Sequence, residues 1–193
     1  MAILVSNVLL AEEAKQPLSA NVKVSPDWGK GQCASQPGKG IKLAWSGVTD
    51  ARKSPSVGTL KKGDEETDIV LAGGVDPTVG EAIKTVFKNC GFDVVAKDAG
   101  GVSSSAEVTE FFAGAKKGFF TGETDAKGSV TLHFAGNGMS YEYNLGATKS
   151  DKRLRKKNIQ QTEQVLTQLL EAIVIQIGES SSLFEELKKI AGK

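Results

Sequence analysis

Apolar and polar residues change their period several times along the chain. The plainest signal lies at residues 130–145. Val130, Leu132 and Phe134 alternate with Thr131, His133 and Ala135, and Met139, Tyr141, Tyr143 and Leu145 alternate on the return. Between them Gly136-Asn137-Gly138 supplies a tight turn that needs positive φ, so the two runs predict a β-hairpin. A half-buried strand is predicted over 41–48, where Ile41, Leu43 and Trp45 alternate with Lys42, Ala44 and Ser46. Shorter strands fit residues 21–24, 69–71, 92–95 and 108–112.

Three segments switch to the helical period. Val79, Ala82, Ile83, Val86, Phe87 and Cys90 share one face. Asp76 reads as the cap of this helix, Pro77 as its first residue and Gly91 as its stop. A longer helix spans about 158–178, with Ile159, Thr162, Leu166, Leu169, Ile173 and Ile177 on one face, widened by Val165, Leu170 and Val174. Ser182 and Glu185 form a capping box for a last short helix carrying Leu183, Phe184, Leu187 and Ile190. Residues 25–40, 100–105 and 114–128 read as loops, 49–66 as a long exposed loop or hairpin, and 149–157 as a basic connector.

These elements predict an α+β fold: an antiparallel β-sheet with two long amphipathic helices packed on one face and a short C-terminal helix. The length fits a single α+β domain over residues 21–193, preceded by residues 1–20 as a signal remnant or flexible lead-in. The apolar start, Met1 to Ala11, followed by Glu12-Glu13-Ala14-Lys15, reads as the back half of a secretory signal. The other reading is a first strand or a short buried segment. A lipid anchor needs a Cys just after the apolar run, and this stretch has none.

Composition narrows the function. Apolar residues at 39% and charged residues at 24% suit a folded core and argue against a membrane bundle. A net charge of +1 and 6% aromatics argue against a nucleic-acid partner. His133 is the sole histidine and no CxxC exists, so neither a metal cluster nor a cofactor is expected. There is no GxSxG, no GxGxxG and no GxxxxGK[ST], so no enzyme is expected either. Gly73-Gly74 before Asp76 resembles a phosphate cradle only superficially, and capping by Asp76 is the better reading. Cys33 and Cys90 either form a disulfide, adding about 3–4 kcal/mol, or stay apart as a buried helix thiol and an exposed loop thiol.

Three features carry candidate contacts. Arg52, two residues after Asp50, suits a carboxylate or other anion of a partner, or a plain ion pair. Lys149, Lys152, Arg153, Arg155, Lys156 and Lys157 are opposed only by Asp151. Such a run attracts anionic headgroups at about 1 kcal/mol per charge, or it is a solvated linker. Phe111-Phe112 and Phe119-Phe120 place at least one ring of each strand pair away from the helices, a patch for a partner or for self-association.

From about residue 69 onward the chain resembles the YajG-like family of bacterial envelope lipoproteins. The resemblance lies in Asn89-Cys-Gly-Phe-Asp-Val-Val95 closing a helix into a strand, and in the alternating strand at 130–134. It continues through the Gly-Asn-Gly turn, the Tyr141-Glu-Tyr-Asn144 return, Lys157-Asn158-Ile159 opening the long helix, and Ser181-Ser-Leu-Phe-Glu-Glu-Leu187. Val48 to Arg52 matches the family's early strand leading into Asp-x-Arg. The lipidated Cys of the family has no counterpart here. The resemblance implies a periplasmic location at the outer membrane and no enzyme activity. Together these readings predict a non-enzymatic envelope protein that presents its sheet and loops to an envelope protein complex. The alternative is a binder of an anionic envelope ligand, such as a lipid headgroup, through residues 149–157. A membrane surface and a second copy of the chain are further candidate partners.

Overall fold

The computed structural model describes residues 16–62, 65–116, 122–153 and 158–193. The predicted signal segment therefore lies mostly outside the described residues. Among those described, eight strands form one sheet: β1 Leu18–Ala20, β2 Lys42–Asp50, β3 Gly58–Lys62, β4 Glu65–Leu71, β5 Asp93–Ala96, β6 Val102–Lys116, β7 Gly122–Gly136 and β8 Met139–Arg153. Three helices accompany them: α1 Val75–Asn89, α2 Ile159–Glu179 and α3 Ser181–Ile190.

The predicted antiparallel sheet is corrected to a mixed one. β6, β7 and β8 are antiparallel neighbours, as are β3 and β4. But β2 runs parallel to both β5 and β6, β1 runs parallel to β4, and β3 meets β6 in parallel at Gly58 and Ala113. The central β6 thus joins two unlike sub-sheets, with β2 beside its first half and β3 beside its second. The chain reaches β6 only after leaving β2 through β3, β4, α1 and β5, which is the long crossover that parallel pairing demands.

The expectation of two long helices on one face also fails. The helices have 15, 21 and 10 residues. α1 packs on β2 and β5 and against α2, α2 covers β6 to β8 and reaches β1, and α3 touches β7 and β8. The shortest helix is a full core element, because Leu183, Phe184, Leu187 and Ile190 are all buried. Two predicted caps move as well. α1 starts at Val75 behind Gly74, so Asp76 lies in its first turn and is not its cap. The cap of α3 is Ser180, whose hydroxyl accepts from the Leu183 N–H at 3.1 Å, in place of Ser182. Asn158 caps α2 by accepting from the Gln161 N–H at 2.9 Å.

Strands β6, β7 and β8 run 15 residues each, far longer than their apolar alternation suggests. They absorb residues 102–105 of the predicted loop at 100–105, the predicted loop at 114–128 apart from residues 117–121, which lie outside the described residues, and part of the basic connector. Their helix side stays buried through small residues. Ala113 and Ala126 are buried, and a Cβ on Gly128 would meet Ile173 Cδ1 at 2.5 Å. The turn at Asn137-Gly138 has φ of 47° and 73°, the two positive values a two-residue hairpin loop requires.

Residues 25–40 fold over the ends of α1 and α2. Cys33 and Cys90 are joined by a disulfide with a Cα–Cα distance of 4.6 Å. Asn89 Nδ2 donates to the Pro26 and Trp28 carbonyls at 2.9 and 2.7 Å, and the Gly38 N–H donates to the Cys90 carbonyl at 2.9 Å. Trp28 and Cys33 are buried by this packing.

Candidate functional site

The β6–β7–β8 arm has two unlike faces. Val130, Leu132, Phe134 and Leu145 are buried on the side under the helices. The alternate residues form cross-strand rows on the other side. Ser105, His133 and Glu142 lie opposite one another, as do Glu107, Thr131 and Asn144. Thr131 Oγ1 donates to Asn144 Oδ1 at 2.8 Å, and Ser150 Oγ donates to Asp125 Oδ1 at 2.5 Å. His133 Nδ1 lies 3.2 Å from Glu142 Oε1. Ser103, Ser105, His133, Ser140 and Glu142 line a shallow depression of about 330 Å³. Period-two alternation fixes which residues appear here, and the cross-strand pairs hold them in place.

Among the described residues this face carries hydrogen-bonding groups and one exposed large apolar side chain. Phe112 is 38% exposed on it, while its neighbour Phe111 is fully buried on the helix side. Phe119 and Phe120 lie outside the described residues. The outer edge of β8 pairs with no other strand among the described residues. Gln176 Nε2 reaches over from α2 and donates to the Gly146 carbonyl at 3.0 Å. Tyr141 and Tyr143 stack with ring centroids 6.4 Å apart on the helix side of the same strand. Burial pushes the Tyr141 hydroxyl pKa up, with smaller contributions from Tyr143 and Glu186.

The sequence-derived contacts separate in space. Arg52 points inward, with its side chain 7% exposed. Its Nε and Nη2 donate to the two carboxylate oxygens of Asp50, each at 2.8 Å. Its Nη1 donates to the carbonyls of Ser56 at 3.1 Å and Phe111 at 3.2 Å. These hydrogen bonds tie the loop after β2 to the middle of β6. The Arg52 hydrogen bonds hold the Asp50 carboxyl below the usual carboxylate range, against the opposing effect of burial.

The basic segment is strand for part of its length. Lys149 is half-buried on β8 opposite Ala126, Lys152 lies opposite Glu123, and Arg153 opposite Gly122. Arg155, Lys156 and Lys157 lie outside the described residues. Arg52 belongs to the β2–β6 junction and Lys149 to the β8 edge, so the structure does not gather them into one site. Sequence reasoning missed the Ser56 and Phe111 carbonyls as partners of Arg52. No local signal announces a contact that spans 59 positions. It also missed the bulge between Trp45 and Val48, although Gly47, with φ of 114°, marks it.

Among the described residues no group of three or more His, Cys, Asp or Glu is placed to hold a metal ion. No described helix is long and apolar enough to cross a membrane. The architecture defines a small α+β protein built on a helix-backed mixed sheet. The chain belongs to a family described as uncharacterized lipoprotein, whose model matches residues 33–188. That membership agrees with the YajG-like resemblance and carries an association with the cell envelope. No curated protein matches the sequence.

Solved structures share the fold at low identity. A protein from Xanthomonas campestris is 11% identical, with 91% of this chain and 99% of that chain covered and a TM-score of 0.54. A further protein described as uncharacterized is 10% identical over 85% of this chain and 97% of that chain, with a TM-score of 0.52. A lipoprotein from Neisseria meningitidis is 13% identical over 72% of this chain and 99% of that chain. Its TM-score is 0.38.

Proposed function

We propose that this protein is a non-enzymatic accessory protein of the periplasm, associated with the outer membrane, that binds a protein subunit of an envelope complex. The docking surface is the helix-free face of β6, β7 and β8. The observation that carries this reading is the contrast between the two faces of the arm. One is sealed under α2 and α3, and the other presents rows of ordered polar side chains with Phe112 among them. Protein interfaces of the non-obligate kind have this mixed, largely polar character. Membership in a lipoprotein family supports the location.

The double variant Glu142→Arg, Asn144→Arg tests it. Both residues are exposed and lie on the open face, so the fold is expected to survive, as the far-UV circular dichroism and melting temperature will show. Two added cations in a docking surface cost several kcal/mol, so co-purification with envelope proteins from detergent extracts falls about tenfold or more. Undiminished recovery of the same proteins would remove this face from the proposal.

A second reading takes the basic segment as a site for an anionic envelope ligand. The specific observation in its favour is the register at the end of β8. Lys152 and Lys116 both lie opposite Glu123, so basic positions from two segments meet at one end of the arm.

A further inference from the structure

We propose that two copies of this chain pair antiparallel through the outer edges of their β8 strands, about a molecular twofold, into one continuous sheet. The surface is the strand edge and not the open face of β6–β8, so the inference goes beyond the docking reading and stands apart from it.

Strand β8 is the outermost strand of the arm, and its pairing with β7 is unbroken. The register runs without a shift from Gly122 opposite Arg153 to Gly136 opposite Met139. The two-residue turn makes Gly136 and Met139 a hydrogen-bonded pair, and an antiparallel ladder alternates from there. Met139, Tyr141, Tyr143, Leu145 and Ala147 therefore direct their N–H and C=O groups to β7. Ser140, Glu142, Asn144, Gly146, Thr148 and Ser150 turn theirs to the outer edge. The Gly146 carbonyl agrees with this direction, since Gln176 Nε2 reaches it from α2 at 3.0 Å. Gln176 occupies that carbonyl, and no strand among the described residues takes the other groups.

A regular strand edge templates association unless something blunts it. The other outer strands of the sheet are short, with three residues in β1 and four in β5. Where β2 runs on past β5 it is bulged between Trp45 and Val48. β8 has 15 residues, no proline and no register shift. Its middle, Tyr143 to Thr148, carries no charge. Met139, at its start, is 44% exposed, and Tyr141 and Tyr143 in the same row are only half-buried.

A second copy is the occupant this edge fits. An unrelated extended segment would cover the edge and present a new one on its own far side. Two β8 edges related by a twofold cover each other, and the contact closes. A twofold centred within 143–148 sets Glu142 against the half of the other strand that holds Lys149 and Asp151, so each of these charges stays away from its own copy. Pairing over about a dozen residues is ~40 Å long, and at a depth of ~15 Å with the flanking side chains it covers about 600 Å² of each copy. The total of about 1,200 Å² meets the lower bound for a specific interface.

Sedimentation equilibrium of the purified full chain tests the proposal, beside the double variant Asn144→Pro, Thr148→Pro. Both residues turn their N–H to the free edge, where proline leaves the ladder with β7 intact. An unchanged circular dichroism spectrum checks the fold. The parent is expected to be a dimer at about 50 μM. The variant's dimer dissociation constant is expected to rise about a hundredfold or more, because each copy loses two intermolecular donors. Amide hydrogen exchange of the parent gives a readout that does not depend on the variant folding. In the dimer the N–H groups of Asn144, Gly146 and Thr148 are protected together with those of Tyr143, Leu145 and Ala147, and dilution exposes only the first set. A parent that is monomeric at that concentration overturns the proposal. So does a dimer whose Asn144, Gly146 and Thr148 amides exchange freely, or one that the folded variant still forms with the parent's affinity, because either places the contact elsewhere.

Discussion

Replacing Cys33 and Cys90 together by Ser lowers the stability of the folded chain by about 3–4 kcal/mol. The bond closes a separation of 57 positions, so most of the effect falls on the unfolded state, which regains the freedom of a long loop. The folded state loses less, because other contacts also hold residues 25–40. Asn89 bonds two of their carbonyls, and Gly38 sits where a Cβ would meet the Phe92 ring at 2.1 Å. Urea unfolding of the oxidised parent, the reduced parent and the double variant measures the effect. The last two are expected to share one midpoint, well below the first. A loss under about 1 kcal/mol would mean that packing alone holds this loop.

Arg52→Ala is expected to cost roughly 2–4 kcal/mol. The change deletes the bidentate pair with Asp50 and leaves the Ser56 and Phe111 carbonyls without this donor. Arg52→Lys recovers only part of the loss, because an ammonium cannot span a carboxylate and two carbonyls in the plane of a fork. The pH dependence has a definite sign. The folded-state pKa of Asp50 is lowered by its Arg52 hydrogen bonds. Its contribution is therefore fully present above the unfolded carboxylate value of about 4 and is lost as pH falls through the lower folded value. Unfolding of the parent and of Asp50→Asn as a function of pH checks this. The variant is less stable at neutral pH, and the gap closes as the solution is acidified. A gap that stays constant into acid would place the effect elsewhere.

The parts of the fold legible in the sequence are those with a local cause. The 130–145 hairpin announces itself because strict alternation surrounds an Asn-Gly pair. α2 does so because its apolar face repeats over many turns. The parallel pairings of β2 with β5 and β6 left no such trace. Their partners lie far along the chain, and a short apolar run carries no record of register. The full length of β6 to β8 was hidden because one face is open to water and the other is filled in places by Ala and Gly. Such stretches look like loops in composition. The pairing of Asp50 with Arg52 could be read directly, but its inward orientation could not, since the carbonyls that receive Arg52 belong to Ser56 and Phe111. The basic run was legible as charge, and the sheet register showed what lies beside its strand portion.

Docking through the open face of β6–β8 is the central claim, and site-specific photo-crosslinking in the native envelope tests it most directly. A photoreactive residue is placed in turn at Thr131, Asn144 and, on the outer side of α2, Gln168. The account predicts discrete cross-links to the same envelope protein from Thr131 and Asn144 and none from Gln168. A cross-link from Gln168 with both sheet positions silent would contradict it.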